Sequence, residues 1–76
     1  MADLTRLSAE ASEMIFEIVE RLQPATAEQV REELASRYGV CAERAAVVHY
    51  MEWLRSSFPR KLAHAGPDLW ILVDLS

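Results

Sequence analysis

The sequence has one cysteine, two glycines and three prolines in 76 residues. A lone cysteine, Cys41, forms no internal disulfide and no Cys-x-x-Cys pair. That excludes a disulfide-stapled scaffold and favours a reducing compartment, the cytoplasm. His49, His64 and Cys41 show no paired ligand spacing, so no metal site is expected. Gly39 and Gly66 are isolated, so there is no glycine-rich loop to cradle a phosphate. No nucleophile–base–acid arrangement is visible, and so short a chain offers no deep pocket. The expectation is therefore a binding protein: no enzyme, no cofactor and no small-molecule substrate. No stretch approaches the roughly 18 apolar residues of a membrane span. The first residues, Met1-Ala2-Asp3-Leu4-Thr5-Arg6, carry an acid and no apolar core, unlike a signal peptide.

What is present is an ordinary globular balance, 51% hydrophobic and 26% charged. The length suits one domain, residues 1–76, whose thin core needs nearly all of its large apolar side chains. Net charge is −4 and uneven. Residues 1–36 sum to −5 and residues 37–76 to +1. The whole molecule is not drawn to nucleic acid by its charge, although its second half tolerates it. Acidic helix faces that keep a small protein soluble account for the same numbers.

Apolar residues Leu4, Leu7, Ala11, Met14, Ile15, Ile18, Val19 and Leu22 recur at three- and four-residue steps, predicting a helix over about residues 4–22. Pro24 ends it. Thr26 and Gln29 form a capping box ahead of Val30, Leu34 and Tyr38, and Gly39 suits a left-handed cap, so a second helix is expected over 27–38. A third, about 43–58, carries the stripe Val47, Tyr50, Met51, Leu54 and Phe58 and stops at Pro59. Val47, not Ala45, is in phase with that stripe, which implies a long turn after Val40. Cys41 reads as a small buried residue or a weak cap. Lys61–His64 and Leu69–Val73 flank Gly66-Pro67-Asp68 and predict a hairpin over about 60–75. The second strand does not alternate, so it is expected to be buried on both faces, with Trp70 in the core.

The fold class is thus mainly α with a small β-hairpin. The order of elements resembles the winged-helix group of helix-turn-helix domains. The resemblance rests on Thr26-Ala27-Glu28-Gln29-Val30 with Leu34, on Tyr38-Gly39-Val40-Cys41, and on the Val47/Tyr50/Met51/Leu54 stripe. It spans residues 7–75 as a likeness of layout, without a diagnostic motif. It implies that the third helix enters a DNA major groove and that the hairpin touches the backbone.

Two functions follow. The first is a small DNA-binding transcriptional regulator, dimeric, using Arg44, His49, Arg55, Arg60, Lys61 and His64. The second is a protein-interaction module, an adaptor or a small inhibitor from a mobile element, using His49, Trp53, Arg55 and Ser56. With Val47 at the centre of the buried stripe, Ala45, His49, Glu52 and Ser56 fall opposite, with Ala46 and Trp53 at one edge. Bases are read by Arg, Lys, Asn or Gln, and this face offers one His, one Ser and a Glu. Trp53 would be an aromatic anchor beside small alanines if exposed, or core if it packs under the hairpin or on the first helix. Leu4 and Leu7 either pair with a second copy or cover the domain's own core.

Overall fold

The computed structural model describes residues 8–75. Leu4 and Leu7, and with them the expected start of the first helix and the dimer contact, lie outside the described residues. Three helices are followed by a two-stranded antiparallel hairpin: α1 Ser8–Leu22, α2 Ala27–Tyr38, α3 Arg44–Trp53, β1 Arg60–Gly66 and β2 Leu69–Asp74. No described helix is long and apolar enough to cross a membrane.

The α1 stripe buries Ala11, Ile15, Ile18 and Val19, with Met14 and Leu22 packed at its margins. Phe16, which lies off that stripe, is buried as well, and the Arg60 guanidinium sits 5.0 Å above its ring. The second helix has its predicted bounds. The Thr26 hydroxyl accepts from Gln29 N–H at 3.1 Å, and the Gln29 side chain accepts from Thr26 N–H at 2.9 Å. Gly39 takes φ 65°, where a side chain would be strained, and its N–H and that of Val40 turn back to the Leu34 carbonyl.

Five residues, Gly39 to Glu43, separate α2 from α3, the long turn that the phase of Val47 requires. Val40 plugs it from inside, and Cys41 is exposed. Cys41 is therefore neither buried nor the cap, which is Glu43, two residues later and without a side-chain cap bond. At the other end α3 tightens into a single 3₁₀ turn, Leu54–Ser56. The helix does not reach residue 58, and Phe58, expected on the buried stripe, is 76% exposed. Pro59 disfavours helical geometry at the residue before it, so the stripe ends at Leu54.

The hairpin pairs Leu62 with Leu72 and His64 with Trp70, with an irregularity between His64 and Gly66. Its turn residue Asp68 has φ 54°. One Asp68 oxygen accepts from the Ala27 N–H at 3.3 Å, placing a carboxylate at the positive end of α2. The second strand is not buried on both faces. Helices cover one face only, so Trp70 is fully buried and Leu72 packs on the core, while Leu69, Ile71 and Val73 are half-buried.

The short link between α1 and α2 joins the sheet. Pro24 halts the helix, and Ala25 forms an isolated bridge to Trp70, with N–H to O bonds of 2.9 and 2.8 Å in the two directions. The Trp70 indole N–H is buried without a hydrogen-bond partner among the described residues. Such a donor costs about 1–3 kcal/mol. Removing a Trp side chain of roughly 200 Å² from water stabilises by about 5 kcal/mol, so burial prevails.

Two substitutions test this account by urea unfolding followed by circular dichroism. Thr26→Ala is expected to cost about 1 kcal/mol through the lost cap. Trp70→Ala is expected to cost about 3–5 kcal/mol through the cavity and lost burial.

Candidate functional site

The exposed face of α3 carries Ala45, Ala46, His49, Glu52 and Trp53, all exposed, with Val48 partly covered. Helical period places the buried Val47, Tyr50 and Met51 on the opposite side, as the sequence requires. Trp53 does not pack under the hairpin: it is 61% exposed. Its ring meets that of Tyr50 edge to face at 5.5 Å, and the Tyr50 hydroxyl shares a 3.1 Å hydrogen bond with Ser12 of α1. One edge of the indole is thereby braced, while most of its surface faces water.

The cationic residues are dispersed and engaged. Arg44, at the start of α3, reaches Asp68 of the hairpin turn at 3.5 Å. Arg55, beyond the other end, binds Glu52 at 3.0 Å. His64 lies 3.1 Å from the second Glu52 oxygen and stacks on Trp70 with ring centres 4.0 Å apart. Arg60 pairs with Glu13 of α1. Lys61 stands opposite Val73 on the hairpin and forms no ion pair with a described residue. Of the six residues expected to meet DNA, only Arg55 and His64 converge, and they converge on a carboxylate. Ser56 is exposed, but its hydroxyl donates to the Trp53 carbonyl at 3.3 Å. His49 is exposed beside Trp53 and Glu52 on the helix.

Glu52 is the electrostatic centre of this face. Hydrogen bonds from Arg55 first, and from His64 second, hold its carboxyl below the usual carboxylate range. Arg60 is raised chiefly by its hydrogen bond to Glu13. The Arg55 pair was open to sequence reasoning through its i,i+3 spacing. The Glu13–Arg60 pair, 47 residues apart, leaves no local trace.

Elsewhere, a shallow groove of about 300 Å³ lies against Arg21, Leu22, Gln29, Glu32 and Glu33. The Arg21–Glu33 ion pair occupies its wall. Among the described residues no three His, Cys, Asp or Glu side chains converge as a metal site would require. The chain matches no family model, no curated protein and no solved structure.

Two measurements probe this arrangement. Acrylamide should quench the fluorescence of one of the two tryptophans, and Trp53→Phe should remove that quenchable fraction. Because the Glu52 pKa is depressed in the folded state, its stabilising contribution is full above the usual carboxylate range. It is lost as pH falls through the folded value. Glu52→Gln should therefore flatten the acid limb of a stability–pH profile measured by thermal unfolding.

Proposed function

We propose that this chain is a winged-helix domain that acts by binding another protein through the exposed face of α3, with no catalytic role of its own. Three helices and a hairpin support the winged-helix reading, and the Ala25–Trp70 bridge supplies the short strand between the first two helices. The observation that carries the docking function is Trp53, a large aromatic side chain 61% exposed in a domain that buries Trp70 completely. A domain this small gains stability from every apolar group it covers. An exposed indole flanked by Ala45 and Ala46, small enough to admit close approach, has the composition of an interface centre. The lone Cys41 is consistent with action in the cytoplasm.

The cations argue in the same direction. A duplex-binding protein making about six to ten phosphate contacts needs that many uncommitted donors. Here Arg44, Arg55 and Arg60 each hold an acid, and His64 leans on Glu52. DNA binding is kept as the second reading by the layout alone: a helix, α3, is followed by a hairpin in the order that a recognition helix and a wing would take.

Fluorescence anisotropy with a random duplex at low salt separates the two. The docking reading expects no saturation up to about 100 µM protein, the weak end of non-specific binding. Saturable binding that weakens steeply with salt, and that is lost in the Arg55→Ala, Arg60→Ala, Lys61→Ala triple variant, would establish the DNA reading instead. A protein partner, once reconstituted from purified components, should bind Trp53→Ala at least ~30-fold more weakly, the effect of losing an anchor of about 2 kcal/mol.

A further inference from the structure

We propose that the solvent face of the hairpin is a self-complementary surface that pairs with the same face of a second copy of this chain. The inference goes beyond the docking reading and does not depend on it.

Three sides of the hairpin are in use. Its core face carries Leu62, Trp70 and Leu72. At the β2 edge, Ala25 exchanges both backbone bonds with Trp70, and the Gln23 side-chain oxygen accepts from the Leu72 N–H at 3.0 Å. At the β1 edge, the Leu54–Ser56 turn packs on the strand, and Leu62 is 1% exposed. The fourth side is the solvent face. Side chains alternate along a strand, so Lys61, Ala63, Leu69, Ile71 and Val73 point there, and Leu75 continues the row. Lys61 is the one ionisable group among them. Leu69, Ile71, Val73 and Leu75 neither belong to the core nor pack against it. A strand that is apolar on both faces has the composition of one covered on both.

Shape points to the occupant. The large apolar side chains all come from β2 and form a ridge. Ala63 stands opposite Ile71, and Gly66 opposite Leu69. Leu69 leans over Gly66, where an added Cβ would meet its Cδ1 at 3.3 Å. What stays open beside the ridge is a seat over Ala63, between Lys61 and the hairpin tip. A two-fold axis along the strands lays β2 of each copy over β1 of the other. Ile71 of each copy then fills the seat over Ala63 of the other, with the sheets about 10 Å apart. Val73 lies along the aliphatic stem of Lys61, whose ammonium reaches the rim. A helix fits less well. Its turns rise about 5.4 Å, out of step with rungs about 6.7 Å apart.

A face two strands wide and about 20 Å long offers roughly half of the ~800 Å² that each partner buries in a standard interface. The pair is therefore weak and reversible, dissociating at about 100 µM. Glu52 meets His64 on the core side of the sheet, so pairing through the solvent face leaves α3 accessible. The pair carries two α3 faces, and two linked docking events reinforce each other.

The test is sedimentation equilibrium of the full chain from about 10 µM to 1 mM, with variants checked for folding by circular dichroism. Expected is a monomer–dimer equilibrium that Ile71→Lys abolishes and Trp53→Ala leaves unchanged. Ala63→Leu adds apolar surface but fills the seat, so it should weaken the dimer roughly tenfold. In a mixture of isotope-labelled and unlabelled chains, filtered NMR spectra should show a contact between the Ile71 and Ala63 methyl groups of different copies. A chain that sediments as a monomer at about 1 mM overturns the proposal. So does a dimer that survives Ile71→Lys or is lost in Trp53→Ala, since it forms elsewhere. A dimer that Ala63→Leu tightens overturns it as well, by marking unspecific apolar adhesion. The docking reading is decided separately, by the duplex titration and the loss of partner binding in Trp53→Ala.

Discussion

Two backbone hydrogen bonds between Ala25 and Trp70 hold the molecule together across most of the sequence that lies between its helices and its last strand. They join the α1–α2 link to the last strand and fix the hairpin against the helices. The Trp70 side chain then fills the centre of the core, and its ring carries His64. His64 in turn meets Glu52, and Glu52 binds Arg55. The position of the hairpin relative to α3 thus descends from one buried residue. A second attachment at the hairpin tip, Asp68 to Ala27 and Arg44, stops the hairpin from pivoting about the first.

Electrostatics on this surface is organised by sharing. Each exposed arginine at the ends of α3 and at the base of the hairpin has a carboxylate in reach. Exposed pairs of this kind add little stability. Their larger effect is on recognition, because they mute the positive potential that a polyanion would seek. What remains prominent on α3 is shape and apolar surface: two alanines, a histidine and an indole.

Much of the fold was legible because its signals are local. The Thr26/Gln29 box and Gly39 fix both ends of α2, and the phase of Val47 foretells the long turn before α3. Where reading along the chain failed, a neighbour remote in sequence or a competing local rule decided. Phe58 has the right spacing for the buried stripe, yet Pro59 denies it a helical backbone. Leu69–Val73 looks like an interior strand, yet among the described residues Trp70 alone of the five is fully buried. Phe16 lies off the α1 stripe and is covered from across the chain by Arg60. The candidate site was half legible. Helical geometry placed His49, Glu52 and Trp53 outward, but nothing in the sequence shows that Arg60 turns to Glu13, or that Trp53 meets the ring of Tyr50.

The Gln23 side chain bears on how many molecules can meet in one assembly. A sheet extends without limit only when each added strand offers a fresh edge and both sides of the starting sheet are available. Here Gln23 and Ala25 occupy the main-chain groups of Leu72 and Trp70, so growth from β2 is blocked at the outset. A fibre would have to strip an amide side chain and two backbone bonds from the core-bearing strand before it could propagate in that direction. One glutamine, placed just ahead of Pro24, thereby helps to close the outer side of the hairpin against a further strand.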